Sequence, residues 1–182
     1  MRFLTLTLIL VLAGCVAKAH NLDSWSQSGD ANWVAIEGII RSTNQSGTGF
    51  LVSPRLYDDF ELKVEFKPDV SVNAGVLIRC QDPDDIALSN CYEINIWDQH
   101  PNQDYRTGSI VIHSIPPLVH LNSVGKWNQY RIIAIGNKLS VWLNEQLTAE
   151  MNTAEFSGGH IALQSVGGEV QFRNLSIKTL TE

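Results

Sequence analysis

The sequence predicts an all-β sandwich of two antiparallel sheets. Three observations carry this expectation. Strand-like alternation of apolar and polar residues runs from Phe60 to Ile177. No segment after the first twelve residues has an apolar period of 3.6. Turn-forming residues punctuate the strands at short spacing, the signature of many short strands wound into a sandwich or jelly roll.

The elements follow in order. Phe60, Leu62, Val64 and Phe66 fall on one face of a strand whose other face carries Glu61, Lys63 and Glu65. Alternation of this kind places one face on a core and the other in water. Ala74–Cys80 and Cys91–Trp97 form the next pair, separated by the polar stretch Gln81–Asn90. Ser109–His113, Gln129–Ile135, Leu139–Leu143, Leu147–Met151, His160–Ser165 and Val170–Ile177 continue the series. Gly136-Asn137 joins two of these as a hairpin turn, because tight hairpins need positive φ. Lys126-Trp127-Asn128 opens that hairpin, with Trp127 read as packing at the sandwich rim.

The N-terminus reads as an export signal occupying residues 1–19, ahead of a single domain at 20–182. Met1-Arg2 is followed by the apolar run Phe3–Leu12 and then by small residues. The run falls short of the about 20 residues that a spanning helix needs. Two processing sites compete. Leu12-Ala13-Gly14-Cys15 resembles a lipobox with Cys15 as the lipidated residue, and is the preferred reading; Ala17-Lys18-Ala19 fits cleavage before His20. Either reading places the domain outside the cytoplasm, in the periplasm or on the outer membrane. Contact with a membrane is expected only through a lipid anchor on Cys15.

The remaining 160 or so residues suit one domain with one core. The net charge is −6 and no Lys/Arg cluster occurs, which disfavours nucleic acid as a partner. Five Trp and four Tyr in an acidic exported domain fit a saccharide partner, because aromatic faces stack on sugar rings. Cys80 and Cys91 form an even pair, and a bridge between them would clamp the intervening loop by about 2–3 kcal/mol. Strict alternation sets Cys80 with Val76 and Ile78 but Cys91 with Glu93 and Asn95, so the bridge requires a bulge or a strand end.

Candidate chemistry centres on Cys91–Asp98. Tyr92, Ile94 and Ile96 point one way, and Glu93, Asn95 and Trp97 the other. An acid, an amide and a stacking ring in one row suit a sugar site. Arg79 lies on the preceding strand, near this row or in an ion pair with Glu93 or Asp98. Asp98 and His100 are two ligand-type groups in one loop, the candidates should a divalent metal be used; no cofactor is otherwise indicated. His113, His120 and His160 belong to no evident constellation.

From Gly49 to Leu180 the chain resembles the bacterial 3-keto-disaccharide hydrolase domain, also described as a 3-keto-glycoside 1,2-lyase/hydratase. The resemblance rests on Tyr57-Asp58-Asp59-Phe60-Glu61-Leu62, Asn73-Ala74-Gly75-Val76-Leu77-Ile78-Arg79, Tyr92-Glu93-Ile94-Asn95-Ile96-Trp97-Asp98 and Thr107-Gly108-Ser109-Ile110. Gly125-Lys126-Trp127-Asn128, Gly159-His160-Ile161-Ala162-Leu163-Gln164 and Phe172-Arg173-Asn174-Leu175-Ser176-Ile177 complete it. The chain departs from the family pattern at Ala74, usually Ser, at Asn95, usually Gln, and at Val111, where an aromatic is common.

The resemblance implies a concanavalin-like jelly roll and a carbohydrate substrate carrying a 3-keto group. That carbonyl acidifies the C2 hydrogen; a base removes it, an enolate forms, and the C1 substituent leaves. Such chemistry needs a base, a stabiliser for the enolate oxygen and an acid for the leaving group. Glu93, Asp98 and His100 are the expected catalytic residues, with Glu93 or His100 as base. Arg79, or a metal on Asp98 and His100, would stabilise the enolate. Arg79, Asn95, Trp97 and Tyr105 are the expected substrate contacts.

Two other readings stand beside this one. Glu93–Asp98 faintly resembles the paired-acid strand of laminarinase-like retaining glycosidases, whose carboxyls lie about 5–5.5 Å apart. Alternatively, the domain binds carbohydrate without catalysis, as many lectin-like sandwiches do.

Overall fold

The computed structural model describes residues 16–18, 24–42, 47–114 and 122–180. The thirteen strands among them are β1 (Val16–Lys18), β2 (Ser26–Gly29), β3 (Trp33–Ile36), β4 (Ile39–Ser42), β5 (Thr48–Val52), β6 (Phe60–Pro68) and β7 (Asn73–Cys80), followed by β8 (Tyr92–Ile96), β9 (Asn128–Ile135), β10 (Lys138–Leu143), β11 (Gln146–Met151), β12 (His160–Val166) and β13 (Val170–Thr179). They form two sheets, and every strand pairing is antiparallel. One sheet runs β11-β10-β9-β6-β13-β4-β3, with β1 alongside the second half of β13; the other runs β2-β5-β12-β7-β8. The expected two-sheet sandwich is present. No helix among the described residues is long and apolar enough to cross a membrane. Cys15 and His120 lie outside the described residues.

The core sits between the sheets and is built by alternation. Phe60, Leu62, Val64 and Phe66 face inward from β6 and are buried, meeting Val76 and Ile78 of β7 and Tyr92, Ile94 and Ile96 of β8. Each such side chain contributes on the order of 1.5–3 kcal/mol through burial. The inward direction of Tyr92, Ile94 and Ile96 forces Glu93 and Asn95 onto the outer face of the smaller sheet.

Three local departures from simple strand logic shape the site. The first is at Arg79, a non-glycine residue at φ 53. The β12 register slips between His160 and Ala162, which pair with Cys80 and Leu77. This bulge re-aims the last residue of β7: Cys80 leaves the inward set of Val76 and Ile78 and joins Leu77 and Cys91 in a small apolar cluster on the outer face. The Cys80–Cys91 disulfide forms there. The mismatch of faces that alternation implies is thus removed by one strained residue.

The second departure is at 109–113. A strand is expected there, but only Ile110 bridges to Ile94, and the chain turns back at once. His113 and Ser114 donate their backbone N–H groups to the Ile110 carbonyl at 3.0 and 2.9 Å. Closing this turn puts Ile112 at φ 61, a conformation that a β-branched residue adopts only under strain. Its side chain is 56% exposed, so little packing compensates. Replacing Ile112 with Asn or Gly is expected to raise stability by about 1 kcal/mol, read as a higher urea midpoint at unchanged m-value.

The third is Gly136, which takes φ 52 in the two-residue turn between β9 and β10 that the sequence predicts. Trp127 lies under the Arg173 guanidinium, 3.9 Å from the ring centroid, in keeping with its reading as a rim residue.

Candidate functional site

The outer face of the smaller sheet carries one continuous polar row. Phe50 of β5 pairs with Gln164 of β12, Gln164 with Gly75 of β7, and Gly75 with Asn95 of β8. Ser109 extends the row, because its carbonyl accepts the Asn95 N–H at 3.1 Å. With Ile110 in the core, Ser109 faces outward beside Asn95. Glu93 is one step away, opposite Leu77, and its carbonyl accepts the Val111 N–H at 2.9 Å.

Gly75 is the floor of the site. A Cβ there would lie 3.1 Å from the Glu93 Oε1 and 3.2 Å from the Gln164 Oε1. The carboxyl and the carboxamide therefore lean over this glycine from strands on either side. Gly75→Ala would push both away while suiting the strand backbone better than glycine does. The expected result is unchanged or slightly higher thermal stability with at least about a tenfold loss of ligand affinity or turnover, since small misplacements at a reacting centre are expensive.

Glu93 is 7% exposed, and burial pushes its pKa up to about 7. A carboxyl balanced near neutrality, set among unspent polar groups, is the profile of a proton-transfer group. The neighbouring atoms are poorly satisfied. Asn95 Oδ1, Gln164 Oε1, Asn73 Oδ1, Ser109 Oγ and Thr107 Oγ1 are buried without a hydrogen-bond partner among the described residues. Buried polar atoms normally have partners, so this concentration of unpaired groups sets the region apart from the rest of the sheet. The Asn95 Nδ2 is spent on the Tyr105 carbonyl, and the Tyr130 hydroxyl donates to the Asn95 carbonyl from the core side. The first contact holds the Asn95 side chain and leaves its oxygen without a partner; the second holds its backbone.

Beyond Asn95 the face becomes aromatic. The Trp97 and His100 rings meet edge to face at 4.6 Å, and His100 meets Tyr105 at 5.6 Å. Trp97 and Tyr105 thus stand together at one end of the row, with His100 between them. His100 Nδ1 lies 3.0 Å from the Asn102 nitrogen and 2.7 Å from its carbonyl. Four residues of strand, roughly 13 Å, separate Glu93 from Trp97, so His100 belongs to the rim and not to the acid.

Two expected roles are corrected. Asp98 accepts the Ser123 N–H at 2.6 Å on one oxygen and the Ser123 hydroxyl at 2.8 Å on the other. Both oxygens are engaged in holding the 122–124 loop, a structural task the sequence does not announce. No cluster of three or more His, Cys, Asp or Glu suited to a metal occurs among the described residues. Arg79 is the second correction. Instead of meeting the Glu93 row, its guanidinium donates to the Gly136, Phe156 and Asp58 carbonyls at 2.6, 2.8 and 3.1 Å and pairs with Asp59 at 3.3 Å. The bulge that delivers Cys80 to the outer face sends Arg79 the other way. Arg79 is neither a substrate contact nor a partner of Glu93 or Asp98.

Gln164, Gly75 and Ser109 escaped the sequence reading as site residues. Gln164 left a trace: it alternates with Ile161 and Leu163, a lone amide among buried apolar positions. Gly75 and Ser109 left none, since their roles come from pairing alone. His160 is structural, with Nδ1 2.8 Å from the Ser53 carbonyl, and His113 stacks edgewise on Tyr92 at 5.2 Å.

Comparison with known proteins gives a family and a fold. The model of a family described as the 3-keto-alpha-glucoside-1,2-lyase-like domain matches residues 18–178. Among curated proteins none matches significantly in sequence. Two structures from Parabacteroides distasonis, provisionally assigned as glycosyl hydrolases, share the fold. One is 24% identical with a TM-score of 0.73, over 91% of this chain and 100% of its own. The other is 19% identical with a TM-score of 0.74, over 87% and 89%. The carbohydrate-binding module CBM66 from Bacillus subtilis is 17% identical, with a TM-score of 0.66 over 87% of this chain and 98% of its own.

Proposed function

This chain belongs to the 3-keto-alpha-glucoside-1,2-lyase-like domain family, a carbohydrate-active family, and from that membership we propose that it cleaves 3-keto-glycosides at the outer face of its smaller sheet. The observation that carries the reading is Glu93, a carboxyl with its pKa raised to about 7, leaning over Gly75 among unspent polar side chains.

In this proposal Glu93 as carboxylate removes the C2 proton, made acidic by the neighbouring carbonyl. The electron pair moves to the carbonyl oxygen as an enolate. Collapse of the enolate forms the C1–C2 double bond and breaks the bond from C1 to the glycosidic oxygen. The proton on Glu93 passes to that oxygen, so the alcohol leaves neutral and Glu93 is restored. Water then adds across the double bond, its hydroxyl to C1 and its proton to C2, for net hydrolysis. Donors for the enolate oxygen are available in the Gln164 amide and the Ser109 and Thr107 hydroxyls. No step uses Asp98, His100 or a metal.

A laminarinase-like double displacement has less support. It needs a second carboxylate close to Glu93; Asn95 stands there instead, and the oxygens of Asp98 are taken by Ser123. A binding-only reading draws on the Trp97–His100–Tyr105 rim and on the resemblance in fold to a carbohydrate-binding module. Purified protein offered a glycoside with and without a 3-keto group separates the three. Cleavage of the keto form alone supports the lyase-type reaction. Cleavage of the plain glycoside supports a glycosidase. Binding without cleavage of either leaves a carbohydrate-binding domain.

Export and lipid anchoring complete the proposal, supported by the apolar run Phe3–Leu12 and the small residues before Cys15. Incorporation of labelled fatty acid into the wild-type chain but not into Cys15→Ser would support anchoring through Cys15.

A further inference from the structure

Strand β1 follows Cys15 directly, and its register fixes where that cysteine meets the fold. Val16 pairs with Lys178, Ala17 with Ile177 and Lys18 with Ser176. The partner strand β13 ends one residue beyond Lys178, at Thr179. Cys15 is joined to Val16, and consecutive Cα atoms are about 3.8 Å apart. A group carried on Cys15 is therefore held where β13 finishes, with no linker between it and the sheet. The same end of the sandwich holds the start of β6, because Phe60 pairs with both Thr179 and Ala134, and the Gly136-Asn137 turn that follows β9. It also holds the end of β7, because Arg79 donates to the Gly136 carbonyl, and hence the 81–90 loop. Trp97, His100 and Tyr105 stand at the opposite end. They follow β8, which runs away from this loop, and Asp98 among them holds Ser123 just ahead of β9. The nine residues of β6 run between the two ends, a span of roughly 30 Å.

Cleavage before His20 would discard β1 and leave the β13 edge bare at Ser176–Lys178, whereas processing at Cys15 keeps the strand. We infer that a lipid on Cys15 seats the end of the sandwich carrying the Gly136-Asn137 turn on the bilayer and points the Trp97–His100–Tyr105 rim away from it. This orientation rests on the lipid-anchor reading above and not on the reaction. The seated end fits a lipid surface without net charge. Leu56 lies there, next to the Tyr57–Gly159 bridge that precedes β12, with Leu88 in the 81–90 loop and Ile135 at the end of β9. They are 65, 39 and 50% exposed, and apolar side chains enter the headgroup boundary favourably. Asp82, Asp84 and Asp85, exposed in the same loop, repel anionic headgroups. Val70 and Leu147 are exposed at the opposite end, so the tether and not apolar area alone decides which end is seated. A rim roughly 30 Å above the lipid is open to saccharides arriving through water, with the Glu93 row on the flank between.

To test this, protein purified from membranes is placed in phosphatidylcholine vesicles that carry a nickel-chelating lipid. One spin label is attached at Asn137→Cys in the β9–β10 turn or at Gln99→Cys in the loop after β8, both exposed positions. Mass spectrometry of the N-terminal peptide first establishes whether Cys15 carries lipid. Relaxation by surface nickel falls steeply with distance, so the label at 137 is expected to be relaxed at least about tenfold more than the label at 99, across a sandwich roughly 30 Å long. A spacer of about ten Gly and Ser residues inserted between Cys15 and Val16 reaches roughly 15–20 Å and is expected to remove most of that difference. Equal relaxation at the two positions, or stronger relaxation at 99, in protein whose Cys15 is lipidated would overturn the orientation and leave the anchor standing. A mature chain that begins at His20 would overturn both, and the mass spectrum alone identifies that case. A difference that survives the spacer would overturn the role given to β1.

Discussion

Glu93→Gln is expected to lower kcat/KM for a 3-keto-glycoside by about 10²–10⁴-fold, the usual contribution of a positioned base. The wild-type rate should rise with pH and level off above an apparent pKa of about 7, because the base must be ionised and burial holds the proton to that point. The variant should lose this titration along with the rate. Stability is expected to move the other way. The folded state holds the Glu93 proton to about pH 7, whereas the unfolded chain releases it near 4.5. Between those values the folded state binds more protons than the unfolded one, so wild-type stability falls as pH rises through this window. The full cost, about 3 kcal/mol, is reached above pH 7. Glutamine carries no such cost. The variant should thus match the wild type at pH 4 and exceed it at pH 8, an exchange of stability for activity expected of a functional site. Urea unfolding at the two pH values reads the stability; unchanged turnover in the variant would remove Glu93 from the mechanism.

Arg79→Ala is expected to destabilise the domain by about 3–5 kcal/mol, the range for breaking a buried ion pair by removing one partner. Arg79 is 0% exposed and ties β7 to three other chain segments: Asp58 and Asp59 before β6, Gly136 in the β9–β10 turn, and Phe156 before β12. Truncation leaves three carbonyls unpaired and the Asp59 carboxylate with the Gly136 N–H as its remaining hydrogen-bond donor. The bulge that turns Cys80 toward Cys91 also loses its anchor. Arg79→Lys should recover only part of the loss, since an ammonium cannot span the same fork of acceptors. A melting temperature within two or three degrees of wild type for Arg79→Ala would show that these contacts are redundant.

The core was legible because period-2 alternation is local. Phe60, Leu62, Val64 and Phe66, and then Tyr92, Ile94 and Ile96, announce their inward faces without knowledge of any partner strand, and Glu93 and Asn95 follow as outward residues. The misreadings arose where backbone conformation breaks the period. Arg79 looked like a neighbour of Glu93 on strand-pair logic, and one residue at φ 53 placed it on the opposite side. Ser109–His113 looked like a strand, and a turn that puts Ile112 at φ 61 ended it after one bridge. Asp98 looked free because its partner, Ser123, lies 25 residues away.

The sequence by itself determined the class of fold, the inward and outward sets of its central strands, the pair of cysteines and the family. Those features are written in alternation, composition and short motifs, which one stretch of chain carries alone. The tertiary structure decided the floor at Gly75, the Gln164 carboxamide facing Glu93 across it, the engagement of Asp98 and Arg79 elsewhere, and the proton affinity of Glu93. Each depends on cross-strand register and burial, and register is a property of two strands that neither contains by itself.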